Sequence, residues 1–498
     1  MGIFANPLTD LLEYEDFSRD FLKGTDPVGM TGCIDSEKVH FMSTFLGEKK
    51  VQLVVTYSEQ RAREIEEDYK LFCSQVYVIP PRDLIFFSAD LQGNAIIAER
   101  MKAFAALYQN EAKVIITTMD ALMSAAVPFE QLMSHVIKLK EGDELDLEKL
   151  KHDLTVMGYE RVGRVEEPGQ FTVHGGIADV YPLTMEVPVR IELWGDEIDT
   201  IRCFEPQSQR SMDQIECVSV FPAAEVIADD TARRRAVGMI QNELESQLAV
   251  FKKAKEPDKA KRLREETNRI LEALGEDVVL EAPDSYISYF YPRTVQLSEY
   301  FDEKNTLVFL DEPMRLKERG DGVQAEFEES MKNRLEQGFL LPGQTALLTP
   351  AKHVLAAFER GQVAALSSLD SRLADFTVVN SYAVNVQNMN TYREGFELLI
   401  KDLTHWKKEK YRIVLLCPSR TRANRIVNQL IEYDLLAYYS EDEDKKINPG
   451  EIMVTYGNLH RGFLYPMLKF AVITESDIFG VKKKKKKKKE PLSGSANK

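Results

Sequence analysis

Long apolar runs are missing from this chain. No stretch approaches the ~18 consecutive apolar residues that read as a membrane span. The first residues, MGIFANPLTDLLEYEDF, lack a basic region followed by an apolar core, which excludes a secretory signal. They begin like a myristoylation site, but Asn6 stands where a Ser or Thr is wanted, so no lipid anchor is expected. Cysteine is sparse. The five, at positions 33, 73, 203, 217 and 417, are an odd number with no C-x-x-C pair, which argues against a disulfide framework and a zinc site. A reduced, cytoplasmic protein is expected. Basic charge is also short: the formal net charge is -16, and leaving out the eight lysines of Lys482–Lys489 lowers it by eight, to -24. An acidic body repels a polyanion, so any DNA contact has to be local, and protein partners are favoured.

What is present is the composition of a globular protein, and 498 residues suit three or four domains. Residues 1–135 alternate β-branched runs (VQLVVTY, QVYVIP, KVIITT) with amphipathic stretches (SEQRAREIEEDYKLF, AIIAERMKAFAALYQ), the pattern of an α/β domain with a parallel sheet. Residues 136–221 turn β-rich, with Pro-Gly, Gly-Gly and Gly-Asp-Glu turns, and read as an insert. Residues 222–376 open with a charged helical stretch broken at Pro257 and return to α/β alternation. Residues 377–480 repeat that alternation, and 481–498 read as a basic linker.

A phosphate-binding loop is nearly present. The stretch GMTGCIDS puts Gly29 and Gly32 ahead of a helix expected from Ser36 to Leu46, with Val39, Met42, Phe45 and Leu46 on one face. A working loop needs a lysine on the terminal phosphates and a hydroxyl on magnesium. Here Asp35 occupies the lysine position, ahead of Ser36. A carboxylate at a helix start caps free amides and repels a triphosphate, so no nucleotide binding is expected. The strand LVFLDEP ends in Asp311 and Glu312, the shape of a metal-coordinating pair in ATPases, but acidic residues after strands are common. No Q-x-x-G-R-x-x-R arginine-finger motif occurs; NLHRGFLYPMLKF holds only Arg461. Neither a catalytic residue nor a cofactor is expected, and the scattered histidines suggest no metal.

The informative stretch is PVRIELWGDEID. As a strand it sends Ile191 and Leu193 to the core and Arg190, Glu192 and Trp194 to the other face. An Arg and a Trp side by side on an open sheet face are a typical protein-docking pair. Periodicity alone leaves open whether a helix or loop covers them. In the companion QFTVHGGIADVYPL, Gly175-Gly176 marks a tight bend just after His174.

These two stretches, within YERVGRVEEPGQFTVHGGIADVYPLTMEVPVRIELWGDEIDTIRCFEP, closely resemble the second domain shared by UvrB and the transcription-repair coupling factors. Four further stretches carry the coupling-factor likeness: PPRDLIFFSADLQGNAIIAERMKAF, VIITTMDALM, QNMNTYREGFELLIKDLTHWKKEKYRIVLLCPS and GEIMVTYGNLHRGFLYPMLKFAVITESDIFG. The similarity runs in order over essentially all of 1–480. It implies a degenerate helicase-like α/β domain (1–135 with 222–376), an inserted UvrA-binding domain and a third α/β domain. DEPM departs from the DESH of UvrB, and UvrB's tyrosine-rich hairpin finds no counterpart between Ser88 and Ala98. The UvrA contacts implied by the family map onto His174, Arg190 and Trp194, with His174 replacing an arginine. The resemblance further implies a coupling factor cut short before the domains that engage RNA polymerase and DNA, recruiting UvrA for nucleotide excision repair without catalysis. The rival expectation is an active UvrB-like NTPase that loads on damaged DNA.

Overall fold

The computed structural model describes residues 7–47, 51–82, 91–275, 283–370, 376–392, 395–442 and 445–480, except for the side chains of 91–94. They fall into two compact units: Glu15–Gly32 with Phe45–Ala383, and Met1–Tyr14 with Cys33–Thr44 and Val384–Lys498. Sequence alone puts Cys33–Thr44 with the first α/β segment, whereas by contacts it groups with the last.

The larger unit is built on a seven-stranded sheet, all of whose pairs are parallel. Its order is Asn380–Ala383, Val28–Thr31, Val363–Ser367, Thr306–Asp311, Val51–Thr56, Val114–Thr118, Val76–Ile79. The three β-branched runs near the N-terminus are three of these strands. Helices Glu59–Tyr69 and Leu91–Tyr108 occupy the amphipathic stretches between them. Thr306–Asp311 is buried at every position, as a strand covered on both faces must be. The charged stretch forms two helices, Asp230–Ala254 and Pro257–Gly275. Asp229 caps the first by accepting the Ala232 N–H at 2.8 Å. Lys255 turns left-handed at φ 59°, and Pro257 opens the second helix, where its missing N–H costs nothing.

Inserted between these parts is a six-stranded sheet in the order Ser211–Gln214, Glu197–Phe204, Val189–Trp194, Ile177–Val180, Gln170–His174, Glu160–Arg161. It is antiparallel except at its last pair. One face buries Phe171, Val173, Ala178, Val180, Val189, Ile191 and Ile201 against helix Leu147–Val156, whose Leu150 and Leu154 belong to the same core. Alternating burial along Val189–Ile191 is the mark of a sheet covered on one side.

The smaller unit has a mixed six-stranded sheet. Phe470–Thr474, Arg412–Cys417, Ile452–Tyr456 and Ala437–Tyr439 run parallel, and Phe463–Tyr465 and Gln387–Asn388 are added antiparallel. Its core takes apolar residues from helices Phe396–Lys408 and Arg420–Glu432. The fold is therefore α/β, with a parallel-sheet domain, a β-rich insert and a further α/β sheet. No described helix is long and apolar enough to cross a membrane. The expected basic linker, and residues 88–90 of the Ser88–Ala98 stretch expected to lack the hairpin, lie outside the described residues.

Candidate functional site

On the insert's outward face, antiparallel register aligns side chains in rows across the strands. One row runs Thr172, Asp179, Arg190, Arg202, and Arg202 pairs on with Gln214. The next runs His174, Ile177, Glu192, Thr200. Two hairpins close this end of the sheet. Gly175-Gly176 joins His174 to Ile177, and Gly195-Asp196 joins Trp194 to Glu197. Gly175 has φ +61° and Gly195 φ +66°, backbone that an L side chain adopts only with strain. The Leu193 N–H donates to Gly176 O at 2.8 Å, tying the two hairpins together.

No loop or helix of the described residues covers this end. Trp194 is 85% exposed, Ile177 is 40% exposed, and His174 is exposed beside them. Arg190, one row in, is half-buried and firmly held. Its Nε and Nη2 donate to Asp179 Oδ1 and Oδ2 at 2.8 and 2.7 Å, and its guanidinium carbon sits 4.8 Å from the Phe204 ring centroid. Hydrogen bonding to Asp179 raises the Arg190 pKa further above its ordinary value. The side chains expected on one face are there, and Trp194 stands in solvent rather than in a core. Asp179 and Phe204 escaped the sequence reading. The signal was available: an aspartate in mid-strand, between apolar neighbours, has to find a cation.

The nucleotide-site candidates are all engaged elsewhere. Gly29 lies inside strand Val28–Thr31 rather than in a loop, and a Cβ there would meet Val378 Cγ1 at 3.0 Å; Gly32 follows at φ +82°. In the smaller unit, Asp35 Oδ2 is 3.4 Å from Arg461 Nη1, and the Ser36 hydroxyl accepts the Arg461 N–H at 2.9 Å. The helix they open runs Asp35–Ser43, shorter than expected, and Glu37 serves its N-terminus by accepting the Ile34 N–H at 3.1 Å. In the larger unit Asp311 is 2% exposed; its Oδ2 accepts from Thr56 Oγ1 at 2.8 Å and from Arg61 Nε at 3.4 Å. Glu312 has φ 57° and accepts from the Ser368 N–H at 2.9 Å and from its hydroxyl. Among the described residues no group of three or more His, Cys, Asp or Glu could hold a metal.

Comparison with known proteins agrees with this layout. The UvrB interaction domain matches residues 137–225, the inserted sheet, and the MFD, D3 domain matches residues 405–478, most of the smaller unit. The transcription-repair-coupling factor of Bacillus subtilis (strain 168) is 28% identical over 487 residues, covering 96% of this chain and 41% of the relative. This chain is similar to the transcription-repair-coupling factors. That of Staphylococcus epidermidis (strain ATCC 35984) is 27% identical over 488 residues, 97% of this chain and 40% of its own length. That of Staphylococcus haemolyticus (strain JCSC1435) is 28% identical over 484 residues, 93% and 39% respectively. The chain thus spans about two fifths of the length of the coupling factors it matches.

Proposed function

We propose that this chain is a non-catalytic docking module of a transcription-repair-coupling factor, presenting the open face of its inserted domain to UvrA and so recruiting nucleotide excision repair to stalled transcription. The observation that carries this reading is Trp194 standing in solvent at the hairpin end of the strand that also carries, four residues earlier, the pre-held Arg190. A large apolar ring left in water costs free energy that a binding partner recovers, and aromatic-plus-arginine pairs dominate many interfaces. His174, in the place of a family arginine, lies in the row beside them and supplies a weaker polar contact.

Catalysis is absent from the proposal because the candidate groups are spent. Arg61 supplies Asp311 with the positive charge that a magnesium ion would otherwise bring. Arg461 engages both Asp35 and Ser36. On this reading the module works in the cytoplasm, binds DNA weakly or not at all, and leaves RNA polymerase and DNA to other domains of the full-length family.

The test is equilibrium binding of purified UvrA to the chain and to its Arg190→Ala, Trp194→Ala double variant. Loss of a hot-spot pair should cost about 2–4 kcal/mol, a drop of roughly 30-fold or more. Equal binding by the two proteins would sink the assignment of this face.

A further inference from the structure

We infer that Asp179 is a positioning residue for docking: it presets the Arg190 guanidinium so that only its Nη1 edge meets the partner. The inference rests on the docking reading of this face. Asp179 is buried and lies directly across from Arg190 in the strand register. Both its oxygens are used on Nε and Nη2, the parallel two-bond geometry that fixes the plane of a guanidinium as well as its place. Phe204 supports one face of that plane at 4.8 Å. Gln209 Oε1 lies 3.5 Å from Nη2, and Gln209 is itself pinned, its amide donating to Val165 O at 3.0 Å and Pro206 O at 2.8 Å. Among the described residues nothing hydrogen-bonds to Nη1.

The neighbour on the other side supplies the reason such a clamp is needed. Arg202 is the register partner of Arg190 on strand Glu197–Phe204, so two guanidinium-bearing side chains stand directly opposite on one face. Like charges so placed repel. Without Asp179, Arg190 would swing away from Arg202 into solvent and sample many rotamers. With it, the charge is balanced and the ordering cost is met before the partner arrives. Because Asp179 already neutralises the charge, the matching group on the partner is a hydrogen-bond acceptor, a carboxylate or a main-chain carbonyl, reached at short range.

The experiment is a double-mutant cycle on UvrA binding, with thermal melts of every variant. Asp179→Asn keeps the shape but removes the clamp, and it should weaken binding about threefold to tenfold, what re-ordering one long side chain costs. Combined with Arg190→Ala it should add nothing, because there is no guanidinium left to place. Arg190→Lys, which keeps the charge but cannot bridge both oxygens, should bind as poorly as Arg190→Ala. Asp179→Asn weakening binding equally in the presence and absence of Arg190 would show that it acts through the sheet, and would overturn the inference. So would unchanged binding by Asp179→Asn, or Arg190→Lys binding like the unaltered chain, the latter a readout that stands even where Asp179→Asn fails to fold. If Arg190→Ala itself binds UvrA normally, the docking reading falls first, and the inference with it.

Discussion

Two side chains three positions apart show how differently residues of one sheet are used. Ile191 is fully buried and Trp194 is 85% exposed, although both are large and apolar. Ile191→Ala should destabilise the insert by about 2–5 kcal/mol, since it leaves a cavity in a packed core. Trp194→Ala should stay within about 0.5 kcal/mol of the unaltered protein, because it removes few contacts. Thermal or denaturant unfolding of the two variants decides this, and a large loss for Trp194→Ala would mean that the ring belongs to a core. Arg61 is the opposite case, an arginine committed wholly to the interior. Arg61→Ala takes the guanidinium away from the buried Asp311 carboxylate, and should cost about 3–5 kcal/mol because a buried ion pair is broken from one side. The outward set Arg190, Glu192 and Trp194 was legible from period-two alternation. The hold of Asp179 on Arg190 was not, because register between strands is a tertiary fact that no single strand records.

Helix Asp35–Ser43 makes the same point for elements. Ser36 to Ser43 are all buried, so the helix has no solvent face, although its local sequence is full of polar residues. What makes this tolerable lies more than 400 residues away in sequence. The Tyr465 hydroxyl donates to Glu37 Oε1 at 2.6 Å, His40 Nδ1 lies 3.3 Å from the Tyr465 hydroxyl oxygen, and the His40 ring stacks on Phe463 at 5.1 Å. An amphipathic pattern predicts one buried stripe, and it cannot reveal polar partners arriving from the far end of the chain. Burial has a measurable price here. It pushes the Glu37 carboxyl from 4.5 up to about 7, against the opposing effects of the Tyr465 hydroxyl, the Ile34 N–H, Lys38 and Cys33. A carboxyl with a raised folded pKa holds its proton better when folded. Its contribution to stability is therefore full below about 4.5 and is lost as pH climbs through about 7. The loss is about 3 kcal/mol, at ~1.4 kcal/mol per pKa unit. Melting the unaltered chain and Glu37→Gln at pH values on either side of that window should show the difference between them widening as pH rises. Parallel pH profiles would mean that Glu37 is already ionised in the fold.

At the scale of the whole chain, strand runs separated by helical periodicity sufficed to anticipate a parallel sheet, a β-rich insert and a second α/β sheet. The grouping of Cys33–Thr44 with Val384–Lys498 was not legible, because local pattern says what an element is but not which core receives it. That grouping bears on the nucleotide question. In a working phosphate site, strand, glycine loop and following helix act together, the helix start facing the phosphates. Here the start of helix Asp35–Ser43 is already engaged within its own unit by Arg461. ATP with magnesium should therefore leave the melting temperature unchanged. A ligand at a hundred times its Kd would add about 2.7 kcal/mol, several degrees for a domain of ordinary size, so the measurement has ample range. A saturable rise with ATP that is absent with magnesium alone would restore a nucleotide site to this chain, and would displace docking as the sole activity proposed for it.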